Sequence, residues 1–210
     1  GDRQVIARAG MLLAMALALA GCAGSLLESN AEAPDTYRLV GEALADRGGR
    51  QPLALAVARP RATTALDTNR IAVVQPDSRF DYFAGLRWSE AAPQMVQQQL
   101  VRSLTADGRF EAVVAAPSRV PTDLRLDVEL RRFEAVYAAA GAPPEVRVEL
   151  QVSLVDTRQV RRLVSFTATG AAPAGADGRA AVVAAFERAT NEAVRGVVDQ
   201  VRSAAPAVTR

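Results

Sequence analysis

Two stretches in the second half of the chain alternate strictly between apolar and polar residues. In "DLRLDVELR", residues 123–131, every second residue is Leu or Val, and "EVRVELQVSL", residues 145–154, repeats the pattern. Because successive side chains of a strand point to opposite faces, each stretch predicts a strand with one buried and one wet face. Val164, Phe166 and Ala168 continue the pattern after a turn. The three strands therefore predict an antiparallel meander.

The apolar phase changes after Arg131 and Arg132. From there the apolar residues fall at Phe133, Ala135 and Tyr137. A shift of one residue predicts either a β-bulge at the arginine pair or a strand that becomes buried on its other face.

A helix is predicted between the early strands and the meander. Its apolar residues recur at steps of three and four, at Ala92, Met95, Val96, Leu100 and Leu104. Ser89 is a candidate N-cap, Pro93 falls in or near the first turn, and Asp107-Gly108 predicts the end.

A second, longer amphipathic helix is predicted after Gly178. Its apolar stripe consists of Val182, Phe186, Ala189, Ala193, Val197 and Val201. Arg188 with Glu192, and Arg195 with Asp199, form candidate i,i+4 pairs on the outer side. The stripe favours a cover for the sheet over a helix lying on a membrane, which would carry bulkier apolar residues and a basic polar face.

The order of elements predicts the fold class. Short strands near 37–39, 53–58 and 71–74 precede the first helix. Strands, helix, strands and helix predict an α+β fold, an open α/β sandwich. Its sheet is mixed and largely antiparallel, with two amphipathic helices packed on one face. We expect one domain over residues 35–204 and a tail over 205–210.

The amino-terminal segment is typical of an export signal that ends at the only cysteine of the chain, Cys22. Residues 1–21 combine two arginines, a short apolar run and small residues before a cleavage point. "LAGC", residues 19–22, resembles a bacterial lipobox, which implies a diacylglycerol thioether and an N-acyl lipid on Cys22. The alternative is ordinary cleavage after "ALA", residues 18–20, which would release a protein with a free thiol. A lone cysteine in an exported chain favours the lipoprotein, with residues 22–34 as lipidated residue and tether.

Several classes of chemistry are excluded by composition. The chain has no histidine and no lysine, and all 25 of its basic residues are arginine. Ser-His-Asp, Cys-His and Schiff-base sites are therefore excluded, as are metal sites of the nitrogen and sulfur type. The sequence contains no P-loop motif. We predict a non-enzymatic protein with no catalytic residue, no metal site and no cofactor beyond the lipid on Cys22. The net charge of +2, with arginines interleaved among acids, gives no basic face for nucleic acid.

Four of the ten aromatic residues fall in "FDYFAGLRW", residues 80–88. These are Phe80, Tyr82, Phe83 and Trp88. One interpretation is a loop or edge segment held to the core by its rings. The other is an anchor surface for a partner or a lipid, because aromatic residues are enriched at binding interfaces.

One family resembles the chain over most of the predicted domain. The segment 66–104, preceded by "YRL" at 37–39 and "LALAVARP" at 53–60 and followed by "DLRLDVELRRFEAVY" at 123–137, resembles the ABC-type transport auxiliary lipoprotein family. Its members are PqiC-like lipoprotein partners of MCE-protein lipid transport systems in Gram-negative bacteria. The resemblance covers roughly residues 37–201.

The resemblance implies an outer-membrane lipoprotein on the periplasmic face. The absence of aspartate at Ala23, after the lipidated residue, agrees with that address by resemblance to lipoprotein sorting. The family implies docking to an MCE-domain protein and, through it, to an inner-membrane permease and ATPase that move phospholipid or another hydrophobic molecule. A homo-oligomeric ring is compatible with this role. The alternative function is a structural envelope lipoprotein that binds other envelope proteins or peptidoglycan.

Substitution of the single cysteine tests the predicted anchor. We expect Cys22→Ser to move the protein from the membrane fraction to the soluble periplasmic fraction, because it removes the thioether that carries the diacylglycerol. Intact-mass measurement of the mature wild-type protein should show the added acyl chains. A wild-type mass without lipid, together with cleavage after Ala20, would contradict the lipoprotein assignment.

Overall fold

The computed structural model describes residues 33–42 and 44–205. The predicted signal segment, Cys22, most of the tether and residues 206–210 lie outside the described residues. Within the described part, one mixed sheet of nine strands is accompanied by two helices. In chain order these elements are β1 (Asp35–Tyr37), β2 (Gln51–Val57), β3 (Arg61–Ala62), β4 (Arg70–Val74), β5 (Phe80–Trp88), α1 (Ala92–Ala106), β6 (Phe110–Ala115), β7 (Leu124–Val136), β8 (Glu145–Asp156), β9 (Arg161–Pro173) and α2 (Arg179–Ala204).

The predicted fold class is confirmed: the chain forms an α+β fold around an open, mixed sheet. The predicted meander is β7, β8 and β9, which pair antiparallel over nearly their whole lengths. On the other side of β7, the strands from the first half of the chain pair mostly in parallel. The short parallel and long antiparallel parts therefore meet at β7.

Three strands pair with the same edge of β7, one after another along its length. β2 pairs with its first residues, where Leu55 lies opposite Leu124. β3 pairs with its middle, opposite Glu129, and β4 pairs with its last residues, where Val74 lies opposite Val136. β6 extends the sheet beyond β2, while β5 and then β1 extend it beyond β4. The strand β7 is therefore the common partner of both halves of the sheet.

The phase change at the arginine pair is a β-bulge. Leu130 pairs with Leu150 and Arg132 pairs with Glu149, so Arg131 is the extra residue on β7. Phe133 and Ala135 are 1% and 0% exposed and lie on the same face as Leu130. Of the two alternatives that the sequence leaves open, the structure thus has the bulge.

The two helices complete one hydrophobic core with the inner face of the sheet. The predicted stripe of α2 is buried along its whole length, and the predicted apolar positions of α1 are buried too. Both helices contribute to the same cluster of buried residues as β7 and β8. Among the described residues, neither helix combines the length and the apolar composition that crossing a bilayer requires.

The start of α1 differs from the prediction, whereas its end agrees. Ala91 occupies the N-cap position and makes no side-chain cap hydrogen bond. Ser89 lies too far from Ala92 to cap the helix, and its backbone N–H instead donates to the carbonyl of Tyr37 at 2.7 Å. Asp107 is the C-cap, and Gly108 follows with φ +73°, as the pair predicts.

The charged side chains of α2 bind neighbouring segments, so the predicted i,i+4 pairs do not form. Arg188 donates to the carbonyl of Pro173 at 2.6 Å, and Glu192 accepts from the N–H of Ala171. Arg195 pairs with Glu42 at 3.0 Å. Arg188 and Glu192 therefore tie β9 to the helix, and Arg195 ties the segment after β1 to it.

A buried carboxylate joins the carboxyl-terminal ends of both helices. The side chain of Asp107 is 1% exposed and accepts from Arg47 at 2.5 Å and from Arg202 at 2.8 Å. Arg202 also donates to the carbonyl of Gly48 at 2.6 Å. A carboxylate withdrawn from water is stabilised only when its oxygens are paired, so these two arginines fix the segment before β2 in place.

The backbone of α2 approaches the sheet closely at Gly170 of β9. A Cβ at this position would overlap the carbonyl oxygen of Ala189 and lie 2.9 Å from the nitrogen of Ala193. Both atoms belong to the helix backbone and cannot rotate away. We therefore expect Gly170→Ala to lower the free energy of unfolding by about 3 kcal/mol or more.

Gly196 of α2 provides a matched control. A Cβ there would meet only the Cβ of Ala168 at 3.8 Å, an ordinary contact. Gly196→Ala should raise the free energy of unfolding by about 0.5–1 kcal/mol through helix propensity. Urea unfolding of the two variants measures both effects, and equal midpoints would contradict the close approach.

Candidate docking surface

The aromatic segment "FDYFAGLRW" forms strand β5, and a bulge divides it into two parts. Between the pairs of Arg70 with Arg87 and Ala72 with Tyr82, two steps along β4 oppose five along β5. Gly85 lies in this irregular part with φ +69°, a conformation that favours glycine. Phe80 and Tyr82 consequently share one face of the sheet, whereas Trp88 faces the core.

Trp88 is a core residue, so the structure removes it from the predicted partner surface. Its side chain is 1% exposed. The ring lies 5.2 Å from that of Phe186 on α2 and 5.8 Å from that of Phe133 on β7, measured between centroids. The interpretation of rings that hold the segment to the core therefore describes Trp88.

Phe83 is half-buried beside the far end of β7. Its ring lies 6.3 Å from that of Tyr137, whose hydroxyl donates to the carboxylate of Asp177 at 2.7 Å. Burial, together with the hydrogen bond to Asp177, raises the pKa of Tyr137. The phenol is therefore a fixed neutral link between β7 and the segment that precedes α2.

Phe80 and Tyr82 form a patch on the outer face of the sheet, the face opposite the helices. Two rows of facing residues cross β5, β4 and β7 there. One row is Phe80, Val74 and Val136, and the other begins with Tyr82 and Ala72. We call Phe80, Tyr82, Val74 and Val136 the outer aromatic patch.

The rings of the outer aromatic patch are held in place. Tyr82 donates its hydroxyl to the carbonyl of Ala65 at 3.0 Å, and the guanidinium of Arg70 lies 3.7 Å above its ring. The ring of Phe80 meets that of Tyr82 edge-on at 5.4 Å, and Phe80 is 40% exposed. A partner would thus meet an apolar ring on a rigid support, which reduces the entropy lost on binding.

Glu134 is a half-buried carboxylate in the second row, opposite Ala72 and beside Arg147 of β8. Burial raises its pKa, while Arg132 and Arg147 act in the opposite direction. The ionised form is therefore less favourable here than in water. A cationic or hydrogen-bonding group of a partner would compensate for that cost.

Sequence reasoning identified Phe80, Tyr82 and Phe83 but missed Arg70, Val74, Val136 and Glu134. Strand register brings Val74, Val136 and Glu134 to the patch, and Arg70 reaches it by covering the ring of Tyr82. Neither feature is visible in the composition of one segment. In residues 33–42 and 44–205, no group of three acidic, histidine or cysteine side chains is arranged to hold a metal ion. The outer aromatic patch combines an exposed apolar ring with charged neighbours, a combination suited to binding a partner.

The fold and this surface define a class of protein, an open α+β domain that presents an aromatic patch on the exposed face of its sheet. Solved structures share the fold. Protein XCC0632 of Xanthomonas campestris is 27% identical, with a TM-score of 0.74 over 81% of this chain and 95% of that chain. Hypothetical protein CT253 of Chlamydia trachomatis is 9% identical, with a TM-score of 0.52 over 73% of this chain and 98% of that one, and shows the fold alone.

The family model described as "ABC-type transport auxiliary lipoprotein component" matches residues 37–198. The chain therefore belongs to the ABC-type transport auxiliary lipoprotein family, in agreement with the resemblance seen in the sequence. No curated protein matches the chain.

The raised pKa of Glu134 makes a prediction about stability and pH. The folded state holds the proton of the Glu134 carboxyl more tightly than the unfolded state does. The contribution of this group to the free energy of unfolding is therefore fully present below its unfolded pKa near 4.5, and it is lost as the pH rises through the folded pKa. Glu134→Gln keeps the shape without the charge. We expect the variant to be more stable than the wild type at pH 7, and the difference to vanish below pH 4.

Chemical denaturation across this pH range measures the effect. Glu111→Gln, at an exposed position of β6, controls for the general loss of a negative charge. The opposite result would be a stability of Glu134→Gln, relative to the wild type, that is lower at pH 7 than at pH 4. It would show that the attraction of Arg132 and Arg147 for the ionised carboxylate outweighs the cost of its burial.

Proposed function

We propose that this protein is a non-enzymatic, outer-membrane lipoprotein component of an MCE-type ABC transport system. As a family member it is a transport auxiliary component with a membrane-anchored place in the cell envelope. The match over residues 37–198 carries the proposal, because it spans nearly all of the folded domain. The cargo class in this proposal is phospholipid or another hydrophobic molecule.

The proposed anchor keeps the domain near the membrane. Lipid on Cys22 would be joined to β1 by the twelve residues 23–34, which reach at most about 40 Å when extended. The strand β1 runs parallel to β5 and pairs with its last three residues. Because the two strands run parallel, the first residue of β1 lies towards the end of β5 that carries Phe80.

Energy for transport would come from other subunits. The chain lacks a P-loop, a histidine and a lysine, so we assign ATP hydrolysis to a separate ATPase that acts with a permease in the inner membrane. An MCE-domain protein would connect that pair to this lipoprotein. A ring of several copies is compatible with such an assembly.

The outer aromatic patch is the first candidate for the contact with the MCE-domain protein. Buried aromatic anchors supply much of the energy at protein interfaces, and Phe80 offers its ring without rearrangement. Arg70 and Glu134 at the patch add two charges of opposite sign, which would orient a partner. Trp88 has no part in this contact.

Affinity capture of the lipidated protein from envelope membranes tests the proposal. We expect the wild type to recover an MCE-domain protein, and Phe80→Ala to reduce recovery about tenfold, because the variant loses an aromatic anchor worth more than 1 kcal/mol. Val120→Ala is the matched control, since Val120 is 49% exposed in the segment before β7. Its recovery should equal that of the wild type.

The outcomes separate the partner from the surface. Recovery of peptidoglycan-associated or other envelope proteins without any MCE-domain protein would replace the transport role with the structural one. Equal recovery by the wild type and by folded Phe80→Ala would leave the transport role standing but would remove the outer aromatic patch from it.

A further inference from the structure

The outer face of the sheet carries an open depression at the end opposite the outer aromatic patch. Its volume is about 390 Å³. It lies where β2 ends, β7 begins and the turn between β8 and β9 closes. The lining includes four arginines, a serine and a valine, which are Arg59, Arg61, Arg125, Arg162, Ser153 and Val155. This volume falls within the range of about 300–1,000 Å³ that is typical of small-ligand sites.

Two of the four arginines in the depression are held by carboxylates. Arg59 makes two hydrogen bonds to Asp67, at 2.5 and 3.1 Å. Arg125 contacts both oxygens of Asp127, at 2.9 and 3.0 Å. These bidentate pairs fix the planes of two guanidinium groups, and each group keeps further N–H donors for another ligand.

The other two arginines have no carboxylate partner within the described part of the chain. Arg61 and Arg162 are exposed, and neither forms an ion pair there. Glu129, which faces Arg61 in the strand register, is instead 3.5 Å from Arg131. Four guanidinium groups thus meet two carboxylates, and the depression keeps a surplus of positive charge.

The remaining lining favours an anion with several oxygen atoms. Ser153 brings a hydroxyl that is 3.1 Å from the hydroxyl of Ser165, and either oxygen can be the donor in that contact. When Ser165 donates, the single proton of Ser153 can turn to an external acceptor. Val155, which shares the strand register of Arg125 and Arg162, supplies an apolar surface that strengthens electrostatic contacts beside it. The fork of an arginine matches two oxygens of one phosphate, and no aromatic ring lines the depression to stack on a base.

We propose that this depression binds a phosphate group, with Arg61 and Arg162 as its principal ligands. The group belongs either to a phospholipid head or to a soluble phosphate. The inference does not depend on the outer aromatic patch, because Arg125 and Val136 lie eleven residues apart along β7, or about 36 Å. The lipid source would deepen the proposed function and rests on it, whereas the soluble source does not.

The test uses the full mature chain with Cys22→Ser, which has no lipid of its own. Titration calorimetry with inorganic phosphate measures the soluble arm, and flotation with phosphatidylglycerol vesicles measures the lipid arm. We expect Arg61→Gln/Arg162→Gln to weaken binding about tenfold or more, since the double variant loses the charge-assisted hydrogen bonds of both principal ligands.

Arg79→Gln/Arg87→Gln is the matched control, because both residues are exposed. They lie on or beside β5, which is separated from β7 by β4 in the strand order. Its binding should stay within about twofold of the parent chain, well below the tenfold loss above. Vesicle binding without phosphate binding identifies the lipid head, and phosphate binding without vesicle binding identifies the soluble source. Equal weakening by both double variants, or no binding of either probe, would overturn the site. Conservation of the circular dichroism spectrum shows that the variants fold.

Discussion

The extra residue at Arg131 keeps one face of a thirteen-residue strand in the core along its whole length. Before it, Leu130 points inward, and after it Phe133 and Ala135 do so too. Without the bulge, the second half of β7 would turn its apolar residues to solvent. Phe133 would then lose its contacts with Trp88 and Phe186. The junction between the two halves of the sheet therefore depends on this local irregularity.

Arginine performs several structural tasks in this chain because its planar group binds two oxygens at once. Arg202 reaches both the buried carboxylate of Asp107 and the carbonyl of Gly48. Arg70 instead covers the ring of Tyr82. Where arginines are not used in this way, as at Arg61 and Arg162, they are free to meet an external anion. The absence of lysine thus leaves a surface whose cations are all suited to planar, oxygen-rich partners.

Regular periodicity allowed much of the fold to be predicted, and the exceptions have physical causes. The meander and both helices follow from alternation and from the 3.6-residue period. The strand β6, "FEAVVA", was not predicted, because a short apolar run carries no distinctive period. The strand β3 is two residues long and exists only through its pairing with β7.

Tertiary contacts decided the features that local rules could not. Arg195 was predicted to pair with Asp199 but contacts Glu42, more than 150 positions away along the chain. The Gly85 bulge placed Phe80 and Trp88 on opposite faces, although they share one short segment. The aromatic cluster could be found from the sequence, whereas its division between core and surface could not. The arginine depression joins residues about 100 positions apart and had no local signal.

Trp88 is the only tryptophan of the chain, and its indole is enclosed by Phe133 and Phe186. Its fluorescence therefore arises from one environment, the apolar centre where β5, β7 and α2 meet. Emission at short wavelength would report that this centre is intact, and a shift to longer wavelength would report entry of water. The outer face contains no tryptophan in the described residues. Loss of the fold can thus be followed optically in the isolated protein, without any added label.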